Sequence, residues 1–196
     1  MKKHSVLKNT LDKDMCSFLN TYLLEKREVL KVLTKEKYIS PFSELHGKLS
    51  GDPQIPNTFC IYGDIAMDIV LLKVLPIIQK KLKLKLIPTY SYARIYKKGD
   101  ELKRHTDRAS CAVSATMNLG GDMWPIYLKD FNKKTYKVSL NPGDILIYDG
   151  CQFEHWREKF TKNTCTQVFL HYNKKGSDNI YDKRERLGLP VDLKIQ

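Results

Sequence analysis

The spacing of hydrophobic residues changes partway along the chain. In the first forty residues Leu11, Met15, Phe18, Leu19, Tyr22, Leu23, Val29, Leu30, Val32 and Leu33 recur at helical intervals among charged residues, with Asn9 or Thr10 where an N-cap belongs. This predicts one or two amphipathic helices. Residues 39–62 are rich in Ser, Gly, Pro and Asn and predict an irregular connection. A second helix is expected from Asp64 to about Lys81, with Pro76 kinking or breaking it.

Beyond that point the period falls to two. Leu82, Leu84 and Leu86 alternate with lysines, and Tyr, Ile and Thr crowd the segment that follows. Strands are expected at 90–97, 111–119, 125–129, 135–139, 145–148 and 164–172, separated by turn signals such as Gly99-Asp100, Gly120-Gly121 and Pro142-Gly143. A helical front (about 1–81), a β core that is a sandwich or barrel (about 82–173) and a charged tail (174–196) make one domain over 1–196. No internal repeat is visible.

Composition narrows the class. With 42% hydrophobic residues the chain can bury a core, which excludes a disordered acidic tail and a disulfide-dense mini-scaffold. The longest apolar stretch, 66–78, is broken by Asp68, Lys73 and Pro76, and the Met1-Lys2-Lys3-His4 start lacks a signal peptide's apolar segment; a soluble, cytoplasmic protein without a membrane partner is expected. Five cysteines without a C-x-x-C pair read as free thiols. The net charge of +12 is spread along the chain, which suits anionic partners but marks no dedicated nucleic-acid motif.

The candidate chemistry lies in His105, Asp107 and His155. Alternate residues of an extended segment share a side, so His105 and Asp107 can face one metal, and His155 can supply a third ligand from a neighbouring strand. Two imidazoles and a carboxylate on one octahedral face leave three positions open, an arrangement diagnostic of non-haem Fe(II) oxygenases.

The runs 92–108 (YARIYKKGDELKRHTDR), 141–148 (NPGDILIY) and 154–158 (EHWRE) resemble, in combination, the 2-oxoglutarate and Fe(II)-dependent dioxygenase superfamily, nearest its prolyl 4-hydroxylase-like branch. The resemblance covers about 90–172. It implies an α+β, mainly β fold: a double-stranded β-helix, or jelly roll, with the N-terminal helices packed on the larger sheet. It implies iron at His105, Asp107 and His155, with 2-oxoglutarate and O2 as co-substrates and ascorbate as a further candidate. It also places Tyr96, on the strand before the H-x-D, against 2-oxoglutarate.

One departure stands out. The family carries an Arg or Lys about ten residues after the distal His, where this chain has Thr164 and Cys165. An anion in a partly dry pocket still needs a charge-assisted partner. By strand parity the candidates are Arg157, with Gln167 assisting, and Arg94. Tyr90, Tyr92 and Tyr148 are further candidates for the pocket wall, and Trp124 and Trp156 for its mouth. The resemblance implies hydroxylation of a prolyl or other amino-acyl side chain, on a peptide or small amino-acid-like substrate, with release of succinate and CO2. The rivals are a nucleic-acid demethylase on the same fold, which would suit the +12 charge although nucleic acid is not the favoured partner, and a non-catalytic jelly-roll binding module.

Overall fold

The structure, a computed structural model, describes residues 4–177. The tail expected at 174–196 therefore falls, from residue 178 on, outside the described residues. The first forty residues contain one helix, α1 (Lys13–Lys35), capped by Asp12, whose carboxylate accepts the Met15 N–H at 2.8 Å. Asn9 and Thr10 do not cap it, for a local reason. Asn9 adopts a left-handed backbone, and the N–H groups of Thr10 and Leu11 donate to the carbonyl of Gly143 instead. The second helix, α2 (Ile65–Leu82), starts at its Asp64 cap as expected and runs through Pro76 without a break. The carbonyl that this proline leaves without a helical donor belongs to Leu72, a residue on the exposed side of the helix.

Ten strands follow or flank the helices: β1 (Ser5–Leu7), β2 (Cys60–Tyr62), β3 (Leu86–Lys97), β4 (Leu102–His105), β5 (Val113–Gly121), β6 (Ile126–Lys129), β7 (Thr135–Val138), β8 (Ile145–Tyr148), β9 (Glu154–Arg157) and β10 (Thr164–Lys174). They form a six-stranded sheet in the order β1-β8-β5-β10-β3-β2 and a four-stranded sheet in the order β4-β9-β6-β7, with every pair antiparallel. This is the jelly roll, and the helices cover the larger sheet. The pattern of residues had not marked β1, β2, β4 and β9 as strands. β4 (LKRH) and β9 (EHWR) are mostly polar and, unlike the equally short β6, β7 and β8, show no apolar pattern, while β1 and β2 are three-residue strands outside the β-rich half of the chain.

The larger sheet separates its side chains cleanly. Ala93, Ile95, Ala115, Met117, Ile147, Val168 and Leu170 point outward and join Leu19, Leu23, Met67, Val70 and Val74 of the helices in one buried cluster. The alternate positions face the smaller sheet. Tyr90, Arg94, Tyr96, Ser114, Thr116, Gln167 and His171 occupy that inner face, and all of them are buried as well. The five cysteines are free thiols, and among the described residues no helix is long and apolar enough to cross a membrane.

Candidate metal centre

The site forms where β4 meets β9. The turn leading into β4 is fixed by a buried carboxylate: Asp100 accepts from Thr58 Oγ1, from the Lys97 backbone and from Lys97 Nζ, each within 2.9 Å. Gly99 takes φ +95° there, a left-handed value that explains its type. Its N–H donates to the Phe160 carbonyl, and the Phe160 N–H donates back to that of Asp100, tying the turn to the loop after β9.

In the β4–β9 pair Leu102 lies opposite Arg157 and His105 opposite His155, with a register shift between. Four residues of β4 thus span three of β9, a β-bulge that turns both Leu102 and His105 to the inner face. The two imidazoles become a direct cross-strand pair with ring centroids 4.2 Å apart. Asp107, two residues on, is anchored by its N–H to the Gly150 carbonyl at 2.8 Å. Its Oδ1 lies 3.5 Å from His155 Nε2 and 3.8 Å from His105 Nε2.

The ring nitrogens have defined roles. His105 Nδ1 lies 2.8 Å from the carbonyl of Lys103, and His155 Nδ1 lies 3.0 Å from that of Phe153. A carbonyl only accepts, so each Nδ1 carries the proton and each Nε2 turns its lone pair toward Asp107. Burial, followed by the neighbouring His155, pushes the His105 pKa down and favours its neutral form. The Ser114 hydroxyl, donating to Asp107 Oδ2 at 2.6 Å, favours the carboxylate form of Asp107. The three side chains therefore converge two lone pairs and a carboxylate oxygen on one point, a donor set that fits a divalent cation.

Above this point lies a cavity of about 280 Å³. Tyr90, Tyr92, Tyr96 and Tyr148 all line it, as does Arg94. Arg157 and Gln167 do not. Arg157 sits one inward step beyond His155 on β9, behind the cavity wall, and donates to the Trp124 carbonyl and, at 3.2 Å, to Gln167 Oε1. Gln167 in turn reaches Cys165 Sγ at 3.1 Å. Trp124 is buried beside Arg157 with its ring 5.2 Å away, whereas Trp156 faces outward from the smaller sheet, stacked on Tyr127 beneath Arg104. Trp156 therefore does not flank the mouth, because the residue after an inward histidine on a strand points out.

The two buried arginines differ in their counter-charge. Arg94 is paired with Asp52, to which Tyr92 also donates at 2.7 Å. Arg157 is 1% exposed and meets no carboxylate among the described residues. The Nε atoms of both arginines and the hydroxyl of Tyr96 are buried without a hydrogen-bond partner, each leaving a cost of about 1–3 kcal/mol. Sequence reasoning passed over three residues around the centre: Asp52, Ser114 and His171. The alternation Ser114, Thr116, Asn118 against Ala115, Met117, Leu119 was a visible signal for Ser114.

No family model matches the sequence, and no curated protein matches it. Its fold is similar to that of solved structures. A prolyl-4-hydroxylase from Pseudomonas putida aligns with a TM-score of 0.62 at 16% identity, over 88% of this chain and 93% of that one. HygX from Streptomyces hygroscopicus, solved with nickel and 2-oxoglutarate bound, aligns with a TM-score of 0.61 at 13% identity, over 88% and 83%. A prolyl hydroxylase from Trichoplax adhaerens, in complex with a peptide fragment of the hypoxia inducible factor oxygen degradation domain, aligns with a TM-score of 0.59 at 16% identity, over 95% and 86%. At these identities the likeness is one of fold: a jelly roll with its helices on the larger sheet.

Proposed function

We propose that this chain is an Fe(II)- and 2-oxoglutarate-dependent dioxygenase that hydroxylates a C–H bond of a prolyl or other amino-acyl side chain. The observation that carries the reading is the convergence of His105 Nε2, His155 Nε2 and Asp107 Oδ1 at the base of the cavity. These three residues would hold the metal. Held there, Fe(II) would activate O2, the oxidant; 2-oxoglutarate would give two electrons on decarboxylation to succinate and CO2 and the substrate C–H bond the other two, with one oxygen atom entering succinate and one the product.

Tyr96, at the cavity wall, receives the far carboxylate of 2-oxoglutarate, and Arg157, buried behind that wall, supplies its counter-charge. The reason is charge: Arg94 already has Asp52, whereas Arg157 is a buried cation without an anion. Through Gln167 the Arg157 guanidinium reaches Cys165, so it occupies the neighbourhood where the resemblance expects a basic residue and the chain lacks one. The unmet Tyr96 hydroxyl is free to donate to that anion, with the unneutralised Arg157 behind it. Tyr62, Tyr90, Tyr92 and Phe169 form an aromatic side to the cavity, which excludes water and suits an apolar ring such as that of proline. The prolyl hydroxylases among the similar structures support the same substrate class.

The test is 2-oxoglutarate turnover to succinate against proline-containing peptides, free amino acids and methylated oligonucleotides. Peptide-stimulated succinate is expected. Stimulation by methylated oligonucleotides alone would make the chain a demethylase. Absence of both Fe(II) and 2-oxoglutarate binding by calorimetry would make it a binding module.

A further inference from the structure

The two oxygens of Asp107 have different surroundings. Oδ1 faces the two histidines, while Oδ2 accepts the Ser114 hydroxyl at 2.6 Å. Ser114 Oγ also lies 3.2 Å from the Cys111 carbonyl and 3.0 Å from His171 Nδ1. A hydroxyl has one proton, and the short contact to a carboxylate takes it. Oγ then accepts from His171 Nδ1–H, so a directed chain runs from His171 through Ser114 to Asp107 Oδ2. Ser114 and His171 are buried in adjacent strands, opposite each other in the β5–β10 register.

Gly150 closes the third side. A Cβ there would lie 2.4 Å from Asp107 Oδ2, 2.4 Å from Ser114 Oγ and 2.6 Å from the Cys111 carbonyl. Its own carbonyl holds the Asp107 N–H. This glycine is needed for close approach, since its φ is not in the left-handed range.

We propose that Ser114, His171 and Gly150 are positioning residues that tie down Oδ2 so that Asp107 offers a metal Oδ1 alone. The inference rests on the metal site proposed above. A carboxylate free at both oxygens can bind a metal through one or both. With Oδ2 held, coordination through Oδ1 keeps a position open for the co-substrate, and ligand orientation of this kind governs metal affinity. His171 also forms, with Asp107 and Cys111, a second group of potential ligands within 4.8 Å of one another. The cradle reading makes His171 a hydrogen-bond donor to Ser114 and not a ligand.

Co(II) binding to the full chain tests this, read as dissociation constant and visible ligand-field spectrum, with cooperative melting as the check on folding. His105→Ala should abolish binding. Ser114→Ala should weaken it by roughly ten- to a hundredfold and shift the ligand-field bands. Ser114→Thr, which keeps the hydroxyl, should restore both. His171→Phe should act in the same direction and less strongly, and Gly150→Ala should resemble Ser114→Ala. The cradle alone is overturned if Ser114→Ala and His171→Phe keep wild-type affinity and spectrum while His105→Ala binds nothing. It is also overturned if His171→Phe loses Co(II) as completely as His105→Ala, which would make His171 a ligand. A wild-type chain that binds no Co(II), or binds it equally well as His105→Ala, overturns the metal site and the cradle with it.

Discussion

The two faces of the larger sheet are made by the same strands and are equally buried, yet they differ in chemistry. The outer face is mainly apolar and closed by the helices, with Ser91 and Thr166 as its buried polar residues and Ser91 donating to Asp68 of α2 at 2.7 Å. The inner face, closed by the smaller sheet, carries Arg94, Tyr96, Ser114, Gln167 and His171. Burying polar groups costs free energy unless partners are supplied, so a stability requirement alone would favour a second apolar layer. The interior between the two sheets keeps a tyrosine hydroxyl without a partner, Tyr96 on this face, and a buried cation without an anion, Arg157 on the facing β9. A single unmet hydroxyl, that of Thr166, also lies on the outer face, so it is the unneutralised charge, more than burial or an unmet donor alone, that distinguishes the binding side.

The sharpest way to break the comparison is one substitution on the inner surface of the smaller sheet against one on the outer face of the larger. His155→Ala should abolish Fe(II)-dependent succinate formation and metal binding while cooperative melting persists, measured by turnover, metal titration and circular dichroism. Leu170→Ala, in the outer layer at 0% exposure, should do the reverse. It should cost about 2–5 kcal/mol of stability, lowering Tm by roughly 2–4 °C for each kcal/mol in a chain of this length, and leave the 2-oxoglutarate affinity of the folded protein unchanged. A large activity loss in folded Leu170→Ala would mean that the faces are not functionally separate.

Legibility in the sequence follows the same division. The helices and the longer strands were readable because burial on one side imposes a period, and α2 was placed within a residue of its start. The short β4 and β9, which carry the histidines, show no period, and the bulge that turns both Leu102 and His105 inward leaves no trace in composition. His105, Asp107 and His155 stood out because their residue types are few and chemically specific. Ser114 and His171 did not, for a physical reason: alternating polar residues on a strand read as a solvent face, and only the second sheet makes that face interior.

Arg157 of the smaller sheet and Arg94 of the larger sharpen the comparison within the interior between the sheets. Arg157→Met removes a buried cation that has no carboxylate, so the melting temperature without ligand should hold or rise. Its 2-oxoglutarate constant should worsen by roughly thirty- to a thousandfold, about 2–4 kcal/mol, if a charge-assisted pair is lost. Arg94→Met leaves Asp52 without its partner and should lower the melting temperature, with less effect on 2-oxoglutarate. The opposite signs are read by melting curves and calorimetry on both variants. A change within about twofold for Arg157→Met, worth only about 0.4 kcal/mol, would move the anion partner to Arg94.

The smallest expected effect comes from a buried carboxylate whose partners are all present. Asp144, at the start of β8, accepts from Lys8 Nζ at 2.7 Å and from the backbone N–H groups of Asn9 and Asn141 at 3.1 and 3.0 Å, fastening the segment after β1 to the turn before β8. Burial works to raise its pKa, but Lys8 and the two N–H donors outweigh it, so the folded carboxyl titrates below its ordinary range. As pH falls through that range, near 3.9, the unfolded chain takes up the proton first. The stabilisation is therefore complete above the ordinary carboxylate pKa and fades as pH drops toward the lower folded value. Asp144→Asn should cost on the order of 1 kcal/mol at neutral pH. The gap to wild type should close in acid, while metal and 2-oxoglutarate affinities stay the same. Denaturant melts from neutral to acid pH measure it, and a gap that persisted in acid would assign the loss to packing. A satisfied buried charge would then differ from Arg157 in the observable that matters: its removal alters stability and leaves the site untouched.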